Sequence, residues 1–490
     1  MKIRNIIVTT PKHFSQFFSY PIYFFLYLWH NRKVVKRSKK MGKFKFYIAL
    51  WSAKFVAFVI NRIDKTRGTN KSGQIACKMC DSFISYFKNI DYNKVIMVTG
   101  TNGKSTTVNM IAHTLQQAGK DIATNIEGAN LITGVATTLI KNSTLTGKFK
   151  KEILLLETDE RSLAAIHKLI PGKHLCITNL QKDQVQRNGD PDYIYQKIKP
   201  VITKDMNIYV NNEEPRVKSF EDFAGKTIYY GMERNEKSFE KTDFYDVTCP
   251  CPKCNDKITF EYYNVDNIGK FSCNHCGYKS EEEITYKATN IDYENNTFVC
   301  QETTYPMPYH QPFFIYNFVL CIALCKQFGI EEKDLQEAFA SFKNIGGRLE
   351  TIHYKTKEIK YIRMKQENPE TLQSAIDYIA RDKTPKIFML GLEQLVDFPP
   401  YYTNTFYAFD CNFQELIDSN VERYICFSEA ISYDTANRLV YSGIDKDKIS
   451  ILPTDSDEEI LKELDKYDLD NVYLITWIKK YEELNKAVKK

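Results

Sequence analysis

No acidic residue occurs before Asp64 in this 490-residue chain, although the same stretch holds 13 lysines and arginines. The net charge of +6 hides that asymmetry, because the rest of the chain carries 54 basic against 61 acidic residues, a net of −7. A basic arm is therefore joined to a mildly acidic body. An uninterrupted apolar run of about 20 residues, the length that crosses a bilayer, is also missing. The aromatic cluster from Phe17 to Trp29 is shorter and contains Pro21. It lacks a small-residue cleavage site, which argues against a secretory signal. The 13 cysteines are few for the length and irregularly spaced, so they do not form a disulfide framework. A reducing cytoplasm is the simpler expectation. Around the Cys-rich stretch 249–278 the basic clustering that would support a nucleic-acid-binding ribbon is weak, and no nucleic-acid partner is expected.

The remaining composition, 43% hydrophobic and 26% charged, is that of a globular protein with two or three domains. Within the arm, the aromatics are followed by Arg32, Lys33, Lys36, Arg37, Lys39, Lys40, Lys43 and Lys45. Rings at headgroup depth beside a polybasic patch suit a helix lying on an anionic membrane surface. The alternative is a helical cap packed on the body. We divide the chain into a basic and aromatic extension (1–48), a central domain (49–345) and a C-terminal domain (346–490). Cys77 and Cys80 form a lone CxxC with no second pair nearby, which reads as a buried helix face.

The chain is organised around Lys94 to Met110, KVIMVTGTNGKSTTVNM. An apolar run (Val95, Ile96, Met97, Val98) has the pattern of a buried parallel strand, and a turn with Gly100 and Gly103 follows it. Helical spacing then begins at Lys104. Such a turn aims backbone amides, the helix dipole and the Lys104 ammonium at a phosphate, with Ser105 or Thr106 placed to offer a hydroxyl to Mg²⁺. The usual phosphate-loop spacing would put a glycine at Val98, so GTNGKS is a shorter variant. The strand EILLLE (152–157) leads into Glu157-Thr158-Asp159-Glu160, and a carboxylate at Glu157 is placed to hold Mg²⁺. HLCITNL (174–180) is a further strand, followed by a turn with Asn179, Asp183 and Gln184.

The second motif is Cys251-Pro-Lys-Cys254 with Cys273-Asn-His-Cys276. Two CxxC pairs at this separation can present four thiolates tetrahedrally, as Zn²⁺ prefers. The result would be a structural ribbon inserted at about 245–285, a piece too small to fold on its own core. The last 140 or so residues alternate strands and helices (IKYIRMK, IFMLGL, RYICFS, ISILPT, VYLITW), which predicts a second α/β unit with a parallel sheet.

GTNGKST resembles the nucleotide loop of the Mur ligase family, the ATP-dependent ligases that build peptidoglycan peptides. TNIEGANL, LLLETDERSL, the Asp183-Gln184 pair, the inserted Cys-four ribbon and YDTANRLVYSGID resemble its MurT branch in particular. That resemblance implies an α/β fold with a Mur-ligase-type central parallel-sheet ATPase domain and a C-terminal α/β domain. It places ATP on Gly100, Thr101, Asn102, Gly103, Lys104, Ser105, Thr106, Asn179 and Asp183, with Asn317 near the adenine and Arg348 reaching the nucleotide from the hinge NIGGRLE.

The implied activity is that of a synthetase subunit. ATP activates the α-carboxylate of the D-glutamate in lipid II as an acyl phosphate, and ammonia from a GatD-like glutaminase converts it to the amide. The chain shows no Cys-His glutaminase constellation of its own. Lys104 and Glu157 would serve the phosphoryl transfer, and Asp410 matches the last acid of a stretch that serves the partner's glutaminase. That stretch departs from the branch pattern, with Asn404 where an earlier Asp is expected, and Gln186 replaces another Asp. The implied location is the cytoplasm, at the inner face of the membrane. Two alternatives stay open: a Mur-type ligase joining another amine to a carboxylate, and a non-catalytic ATP-binding membrane scaffold.

Overall fold

The computed structural model describes residues 39–63, 70–126, 130–181, 191–240, 249–265, 267–308, 312–342, 349–362, 369–393, 408 and 411–489. The chain divides into two compact units, one of Met1–Ile90 with Glu127–Lys151, the other of Asp91–Ile126 with Glu152–Lys490.

The first unit is helical. Its longest helix, Lys39–Ile63, runs through residue 48 because Phe46, Ala49, Leu50 and Ala53 form one continuous buried stripe. It packs on the helices Lys71–Met79 and Ile132–Lys141. Phe46 meets Phe83 and Phe87 at ring-centroid distances of 5.3 Å each. The Lys54 ammonium turns inward to the carbonyls of Ile140 and Ser143. Cys77 and Cys80 lie at the end of the helix Lys71–Met79, half-buried and buried. Among the described residues, no helix is long and apolar enough to cross a membrane.

The second unit carries a nine-stranded sheet. Its first strands are β1 (Val95–Thr99), β2 (Ile122–Thr124), β3 (Ile153–Glu157), β4 (His174–Ile177), β5 (Asn207–Asn211) and β6 (Lys226–Met232). β7 (Thr259–Val265) and β8 (Ile268–Ser272) form a separate hairpin, and β9 (Tyr286–Asp292), β10 (Thr297–Cys300) and β11 (Thr303–Pro306) complete the sheet. The order is β11-β10-β9-β6-β5-β4-β1-β3-β2, parallel from β9 to β2 and antiparallel at the β9–β10–β11 end. β1 is buried along its whole length, which explains its unbroken apolar run. The helix Pro312–Gln327 is apolar on every side and buried from Phe314 to Cys325, where it packs on the helix Lys104–Gln117 and on β6 and β9.

Position β1 is what builds the site. It pairs in parallel with β3 on one edge and β4 on the other, so the chain reverses its direction of winding there. The loops leaving β1, β3 and β4 therefore converge at one carboxyl end, the place where open α/β sheets hold ligands.

The C-terminal part of this unit has its own six-stranded sheet. β12 (Leu349–Tyr354) and β13 (Lys357–Ile362) are antiparallel, and β17 (Asn471–Ile475), β14 (Lys386–Gly391), β15 (Val421–Phe427) and β16 (Ile449–Leu452) continue it in parallel, in that spatial order. Four of the expected strands appear as β14 to β17, and IKYI falls in β13.

Candidate active site

Gly100 and Gly103 have φ values of +123° and +80°, backbone that side-chain-bearing residues rarely adopt. A Cβ on Gly100 would lie 2.3 Å from Thr178 Oγ1, and one on Gly103 2.6 Å from Asn317 Oδ1. The glycines thus let the β1 loop press against the β4 loop on one side and the helix Pro312–Gln327 on the other. Asn179 anchors this arrangement. Its carbonyl accepts from Thr101 N (2.8 Å), its Oδ1 accepts from Asn102 N (2.9 Å), and its Nδ2 donates to Asn102 O. Gln181 adds a second clasp, accepting from Asn102 Nδ2 at Oε1 and exchanging hydrogen bonds with Thr101 Oγ1.

Two loop amides are therefore committed to holding the loop's shape. The helix Lys104–Gln117 starts at Gly103 without a side-chain cap, and its first intrahelical bond runs from Thr107 N to Gly103 O. The amides of Ser105 and Thr106 precede that bond at the positive end of the helix dipole. Thr106 is buried and Ser105 is exposed.

The Lys104 side chain is buried and bends back over the loop. It donates to the carbonyls of Gly100 and Thr101 and forms an ion pair with Glu160 Oε1 at 2.5 Å. Glu160 was not singled out from the sequence. It lies in the same short acidic run as Glu157, and only the path of the chain after β3 decides which of the two meets the ammonium. Glu157 ends β3, half-buried, with its backbone gripped by Asn125: Asn125 Nδ2 donates to Glu157 O and Glu157 N to Asn125 Oδ1, both at 2.8 Å. Asn317 is buried beside Gly103, and its Nδ2 and that of Gln181, Nε2, have no hydrogen-bond partner. Orphaned donors in a buried cradle fit a polar ligand that accepts from them. The donor set (an ammonium, helix N-terminal amides, hydroxyls and a strand-end carboxylate) fits a nucleoside triphosphate with Mg²⁺.

Tyr316, next to Asn317, donates its hydroxyl to the buried carboxylate of Glu213. Glu213 also accepts from Met232 N (3.1 Å) and from Asn264 Nδ2 (3.4 Å), and Asn264 Nδ2 reaches Tyr316 Oη as well. Burial pushes the Glu213 carboxyl up to about 7 despite these donors. Asn264 lies on β7, so the inserted hairpin is tied to the helix that carries Asn317.

Beyond that hairpin, the sulfurs of Cys251, Cys254, Cys273 and Cys276 all lie within 4.8 Å of one another. The pairs Cys251–Cys276 and Cys254–Cys273 are 3.6 and 3.5 Å apart. Four sulfurs around Zn²⁺ at about 2.3 Å would be separated by roughly 3.8 Å, so the quartet fits that ion. Each CxxC turn closes in the same way, Asn255 N on Cys251 O and Gly277 N on Cys273 O. The local core consists of Cys249, Cys251, Ile258, Phe271, Cys273 and Tyr278, too few apolar groups to hold the piece folded without a metal. Cys249 is not in the quartet; its sulfur accepts from Arg216 Nη1.

Asp183, Arg348 and Asp410 lie outside the described residues, as do Gln184, Gln186 and Asn404. On either side of Asp410, Arg438 donates to the carbonyls of Ala408 (3.0 Å) and Cys411 (2.5 Å).

Residues 98–249 match the family model "Mur ligase middle domain", and residues 366–478 match "MurT ligase C-terminal". The chain is 26% identical to the lipid II isoglutaminyl synthase (glutamine-hydrolyzing) subunit MurT of Staphylococcus aureus (strain COL), over 76% of this chain and 84% of that protein. It is 27% identical to the subunit of the same name from Streptococcus pneumoniae, over 88% and 94%. Its fold is similar to that of a pseudomurein peptide ligase type C from Methanothermus fervidus, with a TM-score of 0.60, 19% identity and coverage of 87% and 85%. Both modules and the near-full-length likeness agree: the chain carries a Mur ligase middle domain and a MurT ligase C-terminal domain, and is similar to the MurT subunits over most of its length.

Proposed function

We propose that this chain is the ATP-dependent synthetase subunit of a glutamine-hydrolysing amidotransferase that amidates the D-glutamate α-carboxylate of lipid II. The observation that carries this reading is the buried Lys104 ammonium, held over the β1 loop at the convergence of three strand ends. There the ammonium and the amides of Ser105 and Thr106 would offset the charge gathering on the γ-phosphoryl group as it passes to the carboxylate. The products of that step are ADP and an acyl phosphate. Ammonia then attacks the acyl carbon, phosphate leaves, and the amide remains. Ser105 and Glu157 would hold Mg²⁺, which supplies charge neutralisation on the phosphates. Asn317 and Arg348 would contact the nucleotide, with Asn179 and Asp183 at the β4 loop. The cysteine quartet would hold one structural Zn²⁺.

The relatives are named as subunits, which supports a second protein in the working enzyme. We take that partner to be a GatD-like glutaminase, with Asp410 on the side that serves it. The test is ATP turnover on a lipid II substrate with three amine sources: ammonium, glutamine plus the partner, and free amino acids. Amide formation with the first two is the expected result. Turnover with an amino acid alone would instead make the chain a peptide-forming ligase.

A further inference from the structure

The helix Lys39–Ile63 has two faces of opposite character. One is the buried stripe of Phe46, Ala49, Leu50 and Ala53. On the other, Phe44, Trp51 and Phe55 are 63%, 55% and 61% exposed. At 3.6 residues per turn these three positions fall within about 40° of arc, and Phe58, 57% exposed, continues the row. Trp51 Nε1 donates to Leu145 O at 2.9 Å, and Leu145, itself 64% exposed, widens the patch. Exposed Lys43 and Lys45 flank the row, one on each side.

Charge decides what can cover this face. The helix contains six basic residues and no acidic one. A second copy would bring the same positive helix against it, and residues 1–38 also contain no acid, so either occupant would be repelled. The complement is negative, and a row of aromatic rings between lysines matches the boundary between headgroups and acyl chains. We infer that this row seats the chain on an anionic membrane surface, the helix lying in the plane of the bilayer with Phe44, Trp51 and Phe55 inserted and Lys43 and Lys45 on lipid phosphates. The inference deepens the reading of a lipid-linked substrate, but rests on the helix and not on the ligase chemistry.

The test is co-sedimentation of the full chain with vesicles of phosphatidylglycerol and phosphatidylcholine in equal parts, against phosphatidylcholine alone. Binding to the anionic vesicles, weakened by salt, is expected. The double variant Phe44→Ser/Phe55→Ser should bind them at least about tenfold more weakly, since it removes two of the three inserted rings and their buried apolar surface. Its circular dichroism and its ATP affinity should be unchanged, because both rings point to solvent. Equal binding to neutral and anionic vesicles, or a double variant that binds like the wild type, would overturn the inference. So would a wild-type dimer in sedimentation velocity that the double variant abolishes. ATP affinity is read separately by calorimetry, so loss of the ligase reading and loss of the membrane reading give different results.

Discussion

Replacing Lys104 with methionine leaves an unbranched side chain one atom shorter and removes its charge. The structure supplies the scale of the effect. The ammonium and the Glu160 carboxylate are 2.5 Å apart with side chains only 7% and 5% exposed, and the same ammonium satisfies the Gly100 and Thr101 carbonyls. Breaking a buried pair by removing one partner costs about 3–5 kcal/mol, because the other charge stays desolvated. Lys104→Met should therefore destabilise the unit that carries β1 by about that amount and abolish ATP turnover. Glu160→Gln leaves an oxygen for the ammonium to donate to, and should cost only about 1–2 kcal/mol. The double variant Lys104→Met/Glu160→Gln no longer buries an unpaired charge. It should be more stable than Lys104→Met alone, with a coupling of about 2 kcal/mol or more, yet remain inactive. Denaturant unfolding followed by circular dichroism measures the cycle, and phosphate release measures turnover. A coupling below about 0.5 kcal/mol would refute the view that Glu160 and Lys104 act as one buried unit. Wild-type turnover in either Lys104 variant would refute the assignment of the loop to phosphate.

Gly103→Ala places a Cβ 2.6 Å from the Asn317 amide at a φ of +80°, and should weaken ATP binding by at least about tenfold in calorimetry. Metal analysis of the wild type should give one zinc per chain, and Cys273→Ser should lose it and unfold the ribbon, visible as proteolysis between residues 249 and 280. The Glu213 carboxyl titrates near 7 in the fold against about 4.5 ordinarily, so the folded state holds the extra proton between those values and stability falls as pH rises through that window. Glu213→Gln should gain on the wild type from about pH 5 to pH 7, by up to roughly 3 kcal/mol, in unfolding measured across pH.

Motifs written in consecutive residues were legible because their physics is local. An apolar run, two glycines and GK specify a strand, a turn and a helix N-terminus within one short window. Each CxxC spacing brings two sulfurs into one turn, the β7–β8 hairpin then joins the two turns, and the C-terminal strands announce themselves by short apolar runs between amphipathic helices. The gap between Glu157 and Glu160 was not legible, since both follow β3 and only the exit path of the strand selects which one meets Lys104. The hold of Gln181 on Thr101 and Asn102 was equally hidden.

By itself, then, the amino-acid order determined the glycine-bracketed turn after β1, the two CxxC turns and the kinds of element, each a matter of neighbours along the chain. Tertiary structure decided who stands beside whom. Placing β1 between β3 and β4 gathers three distant loops at one end of the sheet. Packing the helix Pro312–Gln327 against that end sets Asn317 on Gly103 and links Tyr316 through Glu213 to Asn264 of the inserted hairpin. It also decided that one face of the helix Lys39–Ile63 is buried while the other shows its aromatic rings to solvent. Such juxtapositions depend on strand order and helix docking, which free energy assigns over the whole fold and not within any window of sequence.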